Sequence, residues 1–298
     1  MVSRDGAVSA QTLAIPARAR SELQQFWYRF RRHRPAVAGS VVVIMLLLIA
    51  ALAPWVAPYS EREQKLVRRF EGPSLEHPFG LDELGRDILS RIIYGSRISL
   101  AMGVVAVAIA LVGGVILGLL AGYFRPLDGP ISRAMDILLA FPGILLAIAV
   151  VAALGPNERN AMIAVGIESI PAYVRLTRAS VLSLKEREFV EAARALGAGN
   201  FRIVVHHILP NVIAPIIVFG SLNLSTAILT ASTLSFLGLG PQPPTSEWGA
   251  MVSASRSYLR VAPHLMLFPT LAIFVTVLAF NFVGDGLRDA LDPRLRGT

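Results

Sequence analysis

The sequence predicts an all-α integral membrane protein of about six transmembrane helices. Three observations predict it. The 298 residues are 54% hydrophobic and only 16% charged, with a mean hydropathy of +0.59, whereas a soluble domain carries roughly a quarter charged residues. Several apolar stretches are long enough to cross a hydrocarbon core of about 30 Å, which takes roughly 20 helical residues. The charges between those stretches are distributed unevenly.

Five stretches qualify as spans: Ala36 to Val56, Leu100 to Tyr123, Ile137 to Leu154, Val212 to Leu237 and Leu265 to Val283. A sixth, Ala161 to about Leu176, is interrupted by Glu168 and Pro171, but the topology needs it. With the N-terminus inside and six crossings, the cytoplasmic pieces hold 18 Lys/Arg against 9 acids, and the external pieces 10 against 9. That is the positive-inside bias. The net charge of +8 and the pI near 10.5 are then a topology signal, with anionic membrane lipid as a natural partner for Arg29, Arg31, Arg32 and Arg34. Residues 1–35 read as a basic cytoplasmic segment, disordered over 1–20. The basic region is too long for a signal peptide, and Pro54 follows Ala51-Leu52-Ala53, so the first span reads as an uncleaved anchor. Residues 36–95 form an N-terminal helix plus an external segment, 96–286 the main transmembrane unit, and 287–298 a cytoplasmic tail. Cysteine is absent, which excludes disulfides and thiolate chemistry.

In the second span Gly114, Gly118 and Gly122 recur every four residues. They make a small-residue face for close helix packing, more readily within one subunit than between subunits. The fifth span is polar: Ser221, Asn223, Ser225, Thr226, Thr230, Ser232, Thr233 and Ser235. Some of these hydroxyls bond back to their own helix, but together they suggest the wall of a wet cavity. Ser221, Asn223, Ser225, Thr226, Thr230 and the intramembrane Glu168 are therefore candidate pathway-lining residues. For Glu168 the plainer alternative is a shifted span and a nearby basic partner.

The external segment contains His77-Pro78-Phe79-Gly80, a turn, and Asp82 to Asp87, read as a helix start with acids in its first turn. His77, Asp82, Glu83 and Asp87 include metal-ligating types, but Arg86 among them argues against a metal. The loop from Gly238 to about His264 is proline-rich, with Trp248 suited to the membrane interface.

Between Leu176 and Val212 lies a polar helical loop. From Lys185 the chain is rich in good helix formers, and Phe189, Ala193 and Leu196 share one stripe. Gly197 suits the position just past a helix end. Asn200 is expected to cap a second short helix ending at Pro210. Helix–turn–helix geometry also serves DNA recognition, but membrane spans within about 15 residues on each side exclude a nucleic-acid partner.

The pattern Glu191-Ala192-Ala193, Gly197, His207, Leu209-Pro210 resembles the cytoplasmic "EAA" loop of type I ABC importer permeases. His207 stands where isoleucine is usual, which resembles the peptide and nickel subgroup. His77–Leu100, Met135–Gly143, Leu234–Met251 and Asn281–Leu295 resemble the C-type, second permease of dipeptide, oligopeptide and nickel importers. The resemblance implies the type I permease fold with a cytoplasmic coupling helix and multi-pass residence in the bacterial inner membrane, both termini inside. It also implies a heterodimer with a second homologous permease, two ABC ATPase subunits and an external substrate-binding protein. ATP and Mg²⁺ would be bound by the ATPases, none by this chain, which carries no G-x-x-x-x-G-K-[ST]. Glu191, Ala192, Ala193, Gly197, His207, Leu209 and Pro210 would form the ATPase-coupling site. Peptides, glutathione and nickel chelates are the implied cargo classes. An ion-driven transporter or channel is the competing class, but it would place several charges on the pathway. No convergent nucleophile–base or metal set supports an enzyme.

Overall fold

The computed structural model describes residues 22–291, and within them helices and loops account for the whole chain apart from one isolated bridge, Leu81 to Asp87. The expected disorder of residues 1–20 and the tail beyond 291 lie outside the described residues. A basic amphipathic helix α1 (Glu22–Arg32) leads into α2 (Arg34–Ala51), which His33 caps through Nδ1 to the Ala36 amide at 3.1 Å. The first span therefore ends at Ala51. Pro54, which cannot donate to the helical ladder, sits in the first turn of a separate one-turn helix α3 (Ala53–Val56).

The second span belongs to α4 (Ile88–Tyr123), 36 residues and about 54 Å long. It starts later than the acid cluster suggested. Asp82 to Arg86 form a turn, and Asp87 is the N-cap, accepting from the Ser90 amide at 2.8 Å. The third span is not one helix. Helix α5 (Arg125–Leu139) stops at Ala140–Pro142 and α6 (Gly143–Leu154) leaves at 93° to it. Pro142 lacks the N–H that a continuous helix would use there. The weak sixth stretch is the opposite case: α7 (Glu158–Leu184) runs unbroken through Glu168 and Pro171.

Helix α7 persists because α4 holds it. A Cβ on Gly114 would lie 2.2 Å from Tyr173 Cβ, on Gly118 2.5 Å from Thr177 Cβ, and on Gly122 2.6 Å from Val181 Cβ. Both sets advance by four residues in the same direction, so the helices are parallel and nearly touch backbone to backbone. The glycine face thus packs within the subunit. Tyr173, Thr177 and Val181 are fully buried, which frees α7 from the hydropathy a lipid-facing span needs. By length and composition four helices can cross a membrane, or five with the bent pair. Six were expected, and α7, the weak stretch, is the one that length and composition do not select; parallel α4 and α7 require α5–α6 to carry the chain back between them.

The chain then turns through α8 (Glu188–Ala195) and α9 (Asn200–Arg202) into a π-helical turn, Ile203–Ile208, continuous with α10 (Leu209–Phe236). Helix α10 lies against α4, where a Cβ on Gly103 would meet Ile228, and against α12 (His264–Leu291), where one on Gly284 would meet Leu222. Helix α12 closes back on α2 through Gly39 and Gly286. Between α10 and α12, α11 (Trp248–Ser255) folds inward. Trp248 is therefore buried rather than interfacial: its Nε1 donates to the Ile92 carbonyl at 3.0 Å, and its ring packs beside Gly95.

Candidate functional site

The polar loop is a compact hook at one end of the bundle. Its first helix begins at Glu188, three residues after the expected start, with Glu188 and Glu191 in the first turn, where carboxylates favour the helix dipole. It ends in a Schellman motif. The Ala198 amide donates to the Ala193 carbonyl and the Gly197 amide to that of Arg194, each at 3.0 Å, with Gly197 at φ +81°. That left-handed conformation requires glycine or tolerates asparagine.

Two expectations for the loop's second half are corrected. Gly199, not Asn200, is the N-cap of α9. The Asn200 side chain instead accepts from Tyr123 Oη at 2.8 Å, tying the loop to the end of α4. Nor does Pro210 end a helix. It lies in the first turn of α10, and the preceding π-helical turn absorbs its missing donor and ring bulk. Asn211 Nδ2 adds a side-chain bond to the His207 carbonyl at 2.7 Å.

The predicted stripe splits in two. Ala193 is buried with Val190, Ile203 and Ile208, anchoring the hook to the core. Phe189 and Leu196 face outward, 41% and 89% exposed, and are joined by Phe201 at 79%. Sequence reasoning passed over Phe201, although a large aromatic beside a cap in a polar loop was a usable signal. Phe189 and Leu196 line a cleft of about 490 Å³ together with Ala192, Ala193, Gly197, Arg202 and His207 among others. Glu191 is exposed to solvent and does not line the cleft. Leu209 and Pro210 lie at the root of α10, outside the cleft.

The polar residues of α10 do not form one wall. Ser221 Oγ bonds back to the Val218 carbonyl at 2.7 Å. Ser225 bonds back to Leu222 and across to Asn281 Oδ1 on α12, both at 2.7 Å, and is buried. Asn223 Oδ1 accepts from Tyr173 Oη on α7 at 3.3 Å. Thr226 is exposed and Thr230 half-buried. Glu168 is half-buried at the helix break. Ser169 Oγ donates to its Oε2 at 3.1 Å, and its Oε1 lies so close to Gly143, the first residue of α6, that a Cβ there would sit 2.2 Å away. Its hydrogen-bonding partner is thus the Ser169 hydroxyl and not a nearby base.

At the opposite end of the bundle the acid cluster is a buried ion network. Asp82 Oδ2 accepts from Arg86 Nε at 2.7 Å and from Arg91, and Arg86 also reaches Glu83 at 2.8 Å. His77 Nδ1 pairs with Asp87 Oδ1 at 2.9 Å. Arginine and histidine thus occupy the carboxylates. Nearby, Glu247 is fully buried and caps α11 by accepting from the Gly249 and Ala250 amides at 3.0 and 2.8 Å, while Ser99 Oγ donates to it at 3.0 Å. Burial pushes its carboxyl above the usual range despite those bonds.

Residues 114–297 match the family described as binding-protein-dependent transport system inner membrane component. Residues 21–73 match the N-terminal transmembrane domain of oligopeptide transport permease C. The chain belongs to the binding-protein-dependent transport permeases. It is 51% identical over 296 residues to the glutathione transport system permease protein GsiD of Escherichia coli O6:K15:H31, covering 99% of this chain and 98% of that protein. The GsiD protein of Shigella boydii serotype 4 matches at the same identity and coverage. Among solved structures, the permease fold is shared with an inward-facing MetNI methionine ABC transporter chain, at a TM-score of 0.57 and 19% identity, covering 69% of this chain and 98% of that one. An amino acid ABC transporter chain aligns at a TM-score of 0.51 and 17% identity, covering 66% and 92%. The permease is thus a membrane-embedded helical subunit of an ABC import system, a transport component rather than an enzyme.

Proposed function

We propose that this permease forms half of a translocation pathway for glutathione or a similar short peptide, and that the hook made by α8 and α9 seats in a groove of an ABC ATPase. The observation that carries the coupling role is the hook itself: exposed Phe189 and Leu196 line a cleft, and Phe201 stands exposed on the same loop, which is braced by the Gly197 motif and the Tyr123–Asn200 bond. Exposed apolar groups on a polar loop suit a partner's groove. Glu191, Ala192, Ala193, Gly197 and His207 would shape that contact, and Leu209 and Pro210 would pass its movement into α10.

The other half of the pathway would come from a second homologous permease, and two ATPase subunits would bind ATP and Mg²⁺. A substrate-binding protein would deliver cargo at the opposite end. Closure of the ATPases would pull the two hooks together and rock the spans between two access states. The basic bias of residues 26–34 and of the hook's side of the bundle supports placing both there, with the termini, on the cytoplasmic face of the inner membrane. Ser221, Asn223, Ser225, Thr226, Thr230 and Glu168 remain candidates for the pathway wall, with Thr226 the best placed because it is exposed. The 51% identity to glutathione permeases across nearly the whole chain favours glutathione over nickel chelates. The test is ATP-dependent uptake by proteoliposomes holding the complete transporter and its binding protein. Glutathione or dipeptide accumulation is expected, and uptake confined to nickel chelates would overturn the cargo assignment.

A further inference from the structure

At the end of the bundle opposite the hook, four separate segments enclose a cleft of about 540 Å³. The stretch after α3 contributes Glu61 and Arg62, α4 contributes Tyr94 and Arg97, the start of α7 contributes Glu158 and Met162, and the loop before α11 adds Thr245. A volume of several hundred Å³ with a few convergent polar groups over an apolar floor suits a small ligand. The apolar lining here is Ile98, Ala101 and Met162.

The charges lining this cleft are not used up by the fold. Arg62 lies 4.0 Å from its neighbour Glu61. Arg97 and Glu158 are exposed in the same cleft, yet neither is engaged by any side chain among the described residues, and they do not pair with each other. Glu158 has a structural use, since an acid in the first turn of α7 favours its dipole. Arg97 has none of that kind. It stands nine residues into a 36-residue helix whose neighbouring arginine, Arg91, is committed to Asp82. A planar fork of donors without a partner, facing a ligand-sized cleft, is suited to a carboxylate.

We propose that this cleft receives the substrate as it leaves the binding protein, with Arg97 pairing a peptide carboxylate and Glu158 the α-ammonium group. The proposal rests on the short-peptide function above and gives it a residue-level site. Zwitterionic peptides carry both complementary charges, so one ligand neutralises both unpaired groups.

The test uses the complete transporter in proteoliposomes, comparing kcat/KM for uptake of glutathione, its glycyl monoamide and its N-acetyl derivative. Because one binding protein serves every measurement, its own selectivity cancels between wild type and variant. Arg97→Gln is expected to reduce the acid-over-amide preference about tenfold, the worth of one charge-assisted hydrogen bond, while leaving discrimination against the N-acetyl derivative unchanged. Glu158→Gln is expected to do the converse, and Arg97→Lys to restore part of the acid preference. Loss of uptake in equal proportion for acid and amide would assign Arg97 to a protein contact and overturn the proposal. Absence of uptake of any of these peptides by the wild-type transporter would instead overturn the cargo assignment itself. Basal ATPase activity and membrane abundance identify any variant that fails to assemble, and Arg97→Lys then decides the question.

Discussion

The close approach of α4 and α7 predicts that two alanine substitutions of the same chemistry have opposite signs. In Gly114→Ala the new methyl would lie 2.2 Å from Tyr173 Cβ and 3.2 Å from both the Ile170 carbonyl and Tyr173 Cα. The nearest atom is a Cβ, which no rotamer change can move, and carbon contacts settle near 3.5–4.0 Å. The helices must therefore separate by more than an ångström. Overpacking of this kind costs about 3 kcal/mol at the upper end, and the better helix propensity of alanine returns about 1. The net loss is about 2 kcal/mol. Gly72→Ala meets nothing within 4 Å and has no left-handed backbone, so it is expected to gain about 0.5 kcal/mol by restricting the unfolded chain. At about 2–4 °C per kcal/mol, thermal-shift measurements on the detergent-solubilised permease should show Gly114→Ala melting some 4–8 °C lower and Gly72→Ala slightly higher than wild type. A Gly114→Ala protein as stable as wild type would refute the backbone-to-backbone packing, and with it the account of why α7 tolerates its charges.

Three further outcomes are expected. Gly197→Arg, which forces a side chain into a left-handed position costing about 1–2 kcal/mol, and Glu191→Lys should each leave the protein in the membrane but lower substrate uptake per ATP hydrolysed. Normal uptake stoichiometry in both would count against the hook as a coupling element. Asp82→Asn leaves Arg86 with Glu83 but strips buried Arg91 of its only carboxylate partner, leaving it the Ser246 hydroxyl, and should cost about 3–5 kcal/mol, seen as loss of folded protein on size-exclusion chromatography; a neutral effect would mean that the network is not buried. Arg68 holds the Glu71 and Glu76 carboxyls below their usual range, chiefly by direct hydrogen bonds. The unfolded chain therefore binds more protons than the folded one just below pH 4.5. Their stabilisation is present above that pH and falls as the medium is acidified. Arg68→Ala should shrink this acid sensitivity in a melting-temperature profile, and an unchanged profile would exclude the pair as its source.

The spans that face lipid were legible because hydropathy is what lipid selects. Val212–Leu237 and Leu265–Val283 each fall on one helix and Ala36–Val56 on α2 with the one-turn α3 behind it, with ends shifted by a few residues where caps and prolines intervene. Ile137–Leu154 misled because composition carries no angle: the break at Pro142 leaves hydropathy unchanged. Helix α7 read poorly for the converse reason, since its partner is α4 and not the bilayer. In the hook, Gly197 carried its backbone conformation openly. The outward turn of Phe189 and Leu196 depended on which neighbours Ala193 and Val190 found, and no local pattern records that. The pairing of Ser225 with Asn281 and of Tyr123 with Asn200 joins positions more than fifty residues apart, beyond the reach of any periodicity. Arg97 reads in sequence as one more external basic residue, because Glu61, Glu158 and Thr245, which share its cleft, are distant along the chain.

The dependence of α7 on α4 also bears on how the protein is made. A segment containing Glu158, Arg159, Glu168, Arg175 and Arg178 is a poor candidate for entering a bilayer by itself, because each charge near the centre costs about 2.5–3.5 kcal/mol on insertion scales. Chain order supplies the remedy. Helix α4, with its ready glycine face, leaves the ribosome before α7, so the acceptor surface is in place when the charged helix arrives. Insertion of this permease is then templated: a truncated chain lacking α4 should leave α7 outside the membrane, although α7 itself is intact.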